Sequence, residues 1–477
     1  MTPTVAATTI EGMCLLAVLC NAKRFGVSRS TALLIALSCL PVPVVIIATR
    51  PIFAFDLAGP IVLSMVHATN PRVTSSARGL AVTYGMGLVL WPLFATILAT
   101  AVLNEHSSLA DCAVFFLRSC FAVGAFVWAH RTAASPRSTS TISFVAIPTL
   151  FWFVYAIAGI MQYLGVLDTN VFWAYHDPAN QRNVTTGFMA MDAPQISVWA
   201  TFGAAWALWL SETAKGWLRW LLLCMPSTSI ILCICVASRY GLVGSCLATL
   251  LTSAVVIRGR SGMTRLAFAA VVIAALIPFA SQYWDVLPLE QKQHIETKFA
   301  ILAAIRSPSE ALDARDSSTQ FLIQYISSNP LRLVVGSGIA TECDAGCEVR
   351  TYAEGDFIRV LWAGGLVALL SYLAILAMLV RRAITTMHST TRKCVKHTPA
   401  LLLVSTFLCL VYSVGQFNLF TNFEFNMPIY YVLWLVIGAL YAGGGDAPLT
   451  QCKPVAARQR SARLTQSQRP LLIGPLC

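Results

Sequence analysis

The sequence predicts an all-α protein: a polytopic bundle of about thirteen transmembrane helices with one large loop outside the membrane. Three observations predict it. Apolar residues make up 57% of the 477 positions and charged residues only 11%, where a soluble chain carries roughly a quarter charged. The apolar residues fall in continuous runs of span length, not in the short alternating strands of a β-barrel. Lys and Arg are unevenly placed between the runs. If successive loops alternate sides, one set holds 22 of the 33 basic residues and only two acids, Glu212 and Asp446. The rest of the chain holds 11 basic and 19 acidic residues, an asymmetry that sets orientation by the positive-inside rule.

The spans are expected near 5–20, 31–49, 52–69, 79–103, 111–130, 142–164, 188–210, 219–237, 240–257, 266–283, 356–380, 399–416 and 427–443. The first enters from outside, with Lys23 and Arg24 just inside, and no cleavable signal peptide is evident. The inner turns NAKRFGVSRS, NPRVTSSAR, RTAASPRSTS, SETAKGWLR, RGRSGMTR and RRAITTMHSTTRKCVKH are short and basic. Trp152, Tyr163, Trp173, Trp217 and Trp220 near span ends fit interfacial anchoring. The domain plan is therefore ten spans in 1–283, a large periplasmic loop in 284–355, three spans in 356–445, and a basic cytoplasmic tail in 446–477 that reads as disordered. By the positive-inside rule the N-terminus is expected outside and the C-terminus in the cytoplasm. The net charge of +12 is segregated by side, so it reports topology and anionic headgroups, and nucleic acid is excluded as a partner. Most of the fifteen Cys lie in spans, where they act as small apolar residues. Cys343 and Cys347 stand apart as C-x-x-x-C in the outer loop. A short disulfide and free thiols are both open readings there; with no His close by, the pattern does not fit zinc.

Three outer segments stand out. One is 165–187, with His176-Asp177-Pro178 and Asn183; another is GQFNLFTNFEFN at 415–426. The third is the large loop. Ile295, Phe299, Leu302 and Ile305 recur at helical spacing and predict an amphipathic helix over 289–306 at the membrane surface. Asp316-Ser317 signal the start of a second helix that buries Phe321, Leu322, Tyr325 and Ile326, and Asn329-Pro330 is expected to end it. Gly336-Ser337-Gly338 predicts a tight turn or a close backbone approach. A loop this long with its own structure is more often functional than idle.

Arg239 follows directly on an apolar span, and the chain turns back into the membrane at once. It either snorkels to headgroup phosphate or clamps a phosphate of a bound lipid. Arg306, Arg315, Arg350 and Arg359 gather on an outer face that is otherwise acidic. They suit a polyanionic ligand, or they pair with Asp313, Glu348, Glu354 and Asp356. Glu354 and Asp356 sit at the re-entry into the membrane, where a carboxylate can accept a hydroxyl proton or cap a helix start. Arg118, inside the fifth span, requires a partner: Asp111, Asp192 or a bound phosphate. Asp192, in the seventh span, is expected in a buried structural pair. No Walker-type loop, G-x-S-x-G or H-E-x-x-H occurs, and no inner loop is large enough to hold a nucleotide-sugar domain.

The order of parts resembles the O-antigen ligase and Wzy-type polysaccharide polymerase superfamily of bacterial inner membranes. The likeness rests on Ser238-Arg239-Tyr240-Gly241 after many spans, then a large outer loop with Arg315, Asn329-Pro330-Leu331 and Gly336-Ser337-Gly338. Glu354-Gly355-Asp356-Phe357 and Gly364-Gly365-Leu366 complete it at the re-entry. It covers about 220–385 best; these motifs are short, and specificity lies in their order. The resemblance implies a metal-independent glycosyltransferase without cofactor. Its donor would be an undecaprenyl-pyrophosphate-linked glycan, joined to an acceptor sugar hydroxyl at the periplasmic face. On that reading Arg239, Arg315 and Glu354 are the catalytic residues, and Arg350, Asp356, Arg359, Gly336 and Gly338 bind substrate. Ligases of the family tend to carry a His near the re-entry, and none occurs here between His294 and His388. That departure favours a polymerase of O-antigen, capsule or exopolysaccharide repeats over a ligase acting on lipid A core, and it leaves the general base unassigned. A flippase or other polysaccharide transporter is the alternative from another class. A chain-length regulator and a flippase are the candidate protein partners.

Overall fold

The computed structural model describes residues 3–23, 27–40, 43–47, 50–68, 73–103, 106–107, 109–134, 140–163, 166, 193–236, 238–256, 324–339, 341–342, 356–389, 397–415 and 428–442. Residues 1–444 form one compact unit, and 445–477 form a second that lies outside the described residues. The helices in chain order are α1 (Pro3–Cys20), α2 (Arg29–Ser38), α3 (Ala54–Ala68), α4 (Ser75–Tyr84), α5 (Trp91–Val102), α6 (Leu109–Ala134), α7 (Ser140–Tyr163), α8 (Ala193–Leu210), α9 (Trp217–Cys235), α10 (Arg239–Leu251), α11 (Pro330–Val335), α12 (Asp356–Ser389), α13 (His397–Gly415) and α14 (Pro428–Ala442). A π-helical turn, Gly85–Leu90, joins α4 to α5, so that Ser75–Val102 runs as one rod.

The protein is all-α. Among the described residues five helices are long and apolar enough to cross a membrane: Ser75–Val102, Cys112–Ala134, Thr141–Met161, Trp217–Cys235 and Asp356–His388. The spans expected near 5–20, 52–69, 240–257, 399–416 and 427–443 fall on shorter apolar helices, that near 188–210 falls on α8, and the span expected at 266–283 lies outside the described residues. The span expected over 31–49 is not one helix. It splits into α2 and a strand, β1 (Pro43–Ile47), which pairs antiparallel with β2 (Arg50–Phe53). Pro41 and Pro43 lack the N–H a helix needs, and the β-branched run Val44-Val45-Ile46-Ile47 favours extended backbone. A two-residue pairing, β3 (His106–Ser107) with β4 (Thr341–Glu342), is the other ribbon described.

Helix starts follow local chemistry. Ser28, Thr74 and Ser238 each accept a backbone N–H three residues on, from Thr31, Ala77 and Gly241. Asn329-Pro330 does more than end a helix. The Asn329 side chain accepts from Leu331 N–H and Pro330 takes the first position of α11, where a missing N–H costs nothing.

The core sits on α8 and α14, which are buried all round from Gln195 to Ser211 and from Ile429 to Ala442. Both are apolar on every face, which suits the centre of a bundle. Gly438 lets α14 approach the backbone of α6 at Phe126, the small-residue contact expected between membrane helices. Trp152, expected at an interface, is a core residue instead, 1% exposed. Its indole N–H donates to Ser229 Oγ at 2.9 Å and its ring stacks on Trp199. Trp217 and Trp220 are exposed, as anchoring requires.

Contacts gather the helix ends into two sets. At one end His130 Nε2 is 3.4 Å from Thr74 Oγ1, Arg131 bonds the Val66 carbonyl, Arg382 bonds the Tyr441 carbonyl, and His397 bonds the Val256 carbonyl. At the other, β3 pairs with β4, and Ile339 N–H donates to Thr96 Oγ1 at 2.7 Å.

Candidate functional site

The site is built around a reversal inside α12. At Gly364 and Gly365 the backbone leaves helical geometry (φ −140°, ψ 17° and φ 60°, ψ −158°). The two arms, 356–363 and 366–389, do not continue in line. Tyr372 Oη donates to Asp356 Oδ2 at 3.1 Å, and the Phe357 and Tyr372 rings lie 5.6 Å apart. Sixteen residues of straight helix would separate Asp356 from Tyr372 by about 24 Å, so the short arm folds back along the long one. The run Gly364-Gly365, a motif of the re-entry in the sequence, is therefore a turn, and the longer arm begins at Leu366.

Ending a helix at residue 363 deprives its last carbonyls of their donors four residues on. The 336–338 turn supplies them. Ser337 N–H donates to the Trp362 carbonyl at 2.7 Å and Gly338 N–H to the Ala363 carbonyl at 3.2 Å, while Trp91 Nε1 donates to the Gly364 carbonyl at 2.8 Å. Gly336 and Gly338 hold φ of 93° and 87°, the left-handed region that favours glycine. A Cβ on Gly336 would lie 2.6 Å from the amide nitrogens of Gly364 and Gly365. Of the two readings of this turn, close backbone approach is the one the geometry realises. Tyr325 ties α11 down: its ring stacks on Trp362 at 5.4 Å and carries the Arg332 guanidinium 3.9 Å above its centre. Ile326 is buried beside it, as expected.

Asp356 is 0% exposed and Arg359 7% exposed, one turn apart on the short arm. Around the Asp356 carboxylate stand hydroxyls from α4, α12, α13 and α14. Tyr372 bonds it directly and is itself bonded to Ser413 of α13; Tyr84 and Tyr430 bond each other within reach of its charge. Tyr372 lies ten residues from Arg382, about 15 Å along the helix, roughly half the thickness of a bilayer core. Polar groups at such a depth are costly unless bonded to one another or lining a functional cavity.

The Ser238-Arg239 turn is wired to the same place. Ser238 Oγ accepts from Gly241 N–H at 3.1 Å and meets Ser197 Oγ. Tyr412 Oη reaches the carbonyls of Ser197 and Tyr240 at 3.0 and 3.3 Å and meets the Thr201 hydroxyl at 2.5 Å. Tyr412 thus holds the Ser238–Tyr240 turn, while its neighbour Ser413 bonds Tyr372, which bonds Asp356. Sequence reasoning missed this pair. The signal was two polar residues in the otherwise apolar run LCLVYSVG.

Of the expected site residues, Gly336, Gly338, Asp356 and Arg359 are brought to the re-entry. Arg239 opens α10, but its side chain lies outside the described residues, as do Arg315, Arg350 and Glu354 entirely. Also outside lie Arg306, Cys343, Cys347, His176, Asn183, Asp192, the side chain of Asp111, the 289–306 segment and 416–426. Arg118 is paired with Asp56 of α3, not with the partners expected from sequence. Nε to Oδ1 is 2.9 Å and Nη2 to Oδ2 is 2.8 Å. The two arrive together because α3 packs on α6, which spacing along the chain does not reveal. No His/Cys/Asp/Glu group able to hold a metal ion occurs among the described residues.

Fold and site together define an all-α protein with helices of membrane-spanning length and a polar site folded into the bundle. No protein-family model matches the chain, and no curated protein matches it.

Proposed function

We propose that the protein is a membrane glycosyltransferase that polymerises a surface polysaccharide. It would transfer a glycan from undecaprenyl pyrophosphate to the acceptor sugar of another lipid-linked repeat at the periplasmic face. One observation carries the reading. The turn 336–338 bonds the arm 356–363 directly, and the neighbours Tyr412 and Ser413 of α13 touch the 238–241 turn and, through Tyr372, Asp356. In the reaction the acceptor oxygen bonds the anomeric carbon and gives up its proton, which ends in bulk solvent. The bond from that carbon to the pyrophosphate oxygen breaks, and the leaving group keeps the electron pair. Arg239 and Arg315 stabilise that developing charge, and a site closed from water makes the interaction strong. Asp356 and Arg359 orient the sugars from the folded-back arm, with Glu354 and Arg350 in the segment leading to it. The chain sits in a bacterial inner membrane with about thirteen spans, its basic loops on the cytoplasmic side.

Arg239→Ala and Arg315→Ala are expected to cut polymer by about a hundredfold or more, the usual cost of losing one transition-state donor, with unchanged protein in the membrane. Normal polymer from both variants would remove the proposed site. Tyr412→Phe keeps the ring and deletes the hydroxyl. It is expected to slow polymer formation by about tenfold through displacement of the Ser238-Arg239 turn. Wild-type rates in isolated membranes would show that the hydroxyl does not position the turn.

The folded-back arm of α12, which brings Asp356 to the depth of Tyr372, favours a second reading, because discontinuous helices that line a mid-membrane site are a habit of transporters. Deleting the gene in its host separates the readings by the glycan that accumulates. A single lipid-linked repeat without longer polymer means polymerase, and full-length polymer stranded on the carrier means ligase. Repeats trapped on the cytoplasmic side mean flippase, and an unchanged glycan profile overturns the whole assignment.

A further inference from the structure

Far from the re-entry, α1 carries an ionisable group that the proposed chemistry does not use. Glu11 lies nine residues before Cys20, where α1 ends, or about 14 Å along the axis, near half the thickness of a hydrocarbon core. Its Oε1 is enclosed and meets no hydrogen-bond partner, and among the described residues no cation pairs with it. The residue as a whole is only partly buried, and its helix decides what the open side meets. Met13 and Leu16 are exposed, whereas Cys14 and Val18 are buried. The open side of α1 is therefore apolar and suits lipid, while α1 packs on α2. Neither side offers water to a charge.

The neighbours do not offer a strong donor either. Tyr155 of α7 and Cys14 of the same helix lie within reach of the carboxyl, and Cys39, the C-cap of α2, lies beside Tyr155. Tyr155 has one proton, and its Oη donates it to the Cys39 carbonyl at 3.2 Å. A phenol used in that way presents lone pairs to Glu11, and a thiol is a weak donor. An ionised carboxylate in this setting has no counter-ion and no strong donor, which costs far more than giving up the charge. A protonated carboxyl is neutral, and its O–H is the donor that the Tyr155 oxygen lacks. Ionisable groups at such a depth mark proton or ion sites.

We propose that Glu11 is a proton-binding site inside α1, which holds its proton at neutral pH and loosens α1 from α2 on releasing it. Among the described residues the titratable groups facing it are Cys14, Cys39 and Tyr155, all uncharged at neutral pH, so the proton on Glu11 sets the charge of this corner. The site stands apart from the proposed transferase centre and does not depend on that reading.

The test uses the full chain in detergent and has two readouts. The first is labelling by dicyclohexylcarbodiimide, a lipid-soluble reagent that requires a protonated carboxyl. The carboxyl proton passes to a carbodiimide nitrogen, the oxygen bonds the central carbon, and the adduct rearranges to a stable acylurea. Peptide mass mapping should place an adduct on Glu11 at neutral pH and lose it at alkaline pH, with Asp56, paired to Arg118, left unlabelled as the internal control. The second is melting of wild type and Glu11→Gln, which keeps shape and neutrality, from about pH 5 to about pH 9, where an unfolded carboxyl is ionised. The folded wild type then holds one proton more than the unfolded chain, so its stability falls relative to Glu11→Gln as pH rises. The ratio of the two folding constants should drop about tenfold per pH unit until the folded carboxyl gives up its proton. An unlabelled Glu11 at every pH, or a difference in melting that does not change with pH, overturns the proposal. If Glu11→Gln does not fold, the pH dependence of wild-type labelling decides alone.

Discussion

Gly365→Ala is expected to destabilise the protein by about 3–5 kcal/mol, enough to deplete it from the membrane. Two costs combine. At φ 60° and ψ −158° Gly365 occupies a region that residues with a side chain scarcely enter, a penalty of about 1–3 kcal/mol. A Cβ there would also press on the Val334 carbonyl and lie 2.7 Å from the Gly336 nitrogen. Both obstacles are backbone, held by the Ser337 and Gly338 bonds to Trp362 and Ala363, so no side chain can swing aside. Gly79→Ala is the contrasting change. Gly79 lies inside α4 with nothing within 4 Å of its Cβ position, so alanine should stabilise by about 0.5–1 kcal/mol. Melting of both variants in detergent checks the pair. A Gly365→Ala protein that melts with the wild type would mean that the reversal in α12 is not rigid.

Removing either member of the Asp56–Arg118 pair is expected to cost about 3 kcal/mol, because the survivor is left charged in a largely apolar setting. The pair is bidentate, its members are only 11% and 14% exposed, and the Phe55 ring lies 5.5 Å from the guanidinium. Asp56→Ala with Arg118→Ala should be less damaging than the two single changes summed. The coupling recovered from the four proteins is expected at about 2 kcal/mol. Additive melting shifts would show that the two charges are satisfied separately. Neither residue belongs to the proposed centre, so transferase activity per folded molecule should be retained in the double variant.

Much of the architecture was legible because it depends on composition along the chain. Continuous apolar runs placed α6, α7, α9, α13 and α14 within a few residues, whereas Asn329-Pro330, read as the end of a helix, also starts α11. The run over 31–49 misled because hydropathy registers Val44 to Ile47 as span while two prolines forbid the helix. Trp152 misled for a related reason: closeness to a span end in sequence says nothing about which helix its ring meets. Gly336, Gly338, Asp356 and Arg359 were legible as a group because turn chemistry and re-entry acids leave a mark in sequence. Tyr372, Ser413, Tyr84, Tyr430 and Tyr412 were not, since a single hydroxyl in an apolar helix has no periodicity to reveal its partner.

Helicity, apolar character and the asymmetry of charge are readable along the chain, because those properties add up residue by residue. That 356–363 folds back on 366–389, that Arg118 takes Asp56, and that Tyr412 and Ser413 touch both the 238–241 turn and the Tyr372–Asp356 bond emerge only once the helices pack. Each is a choice of partner between segments tens to hundreds of residues apart. In a bundle that choice is made by which faces pack closely enough to satisfy every buried polar group, a condition no single helix carries alone.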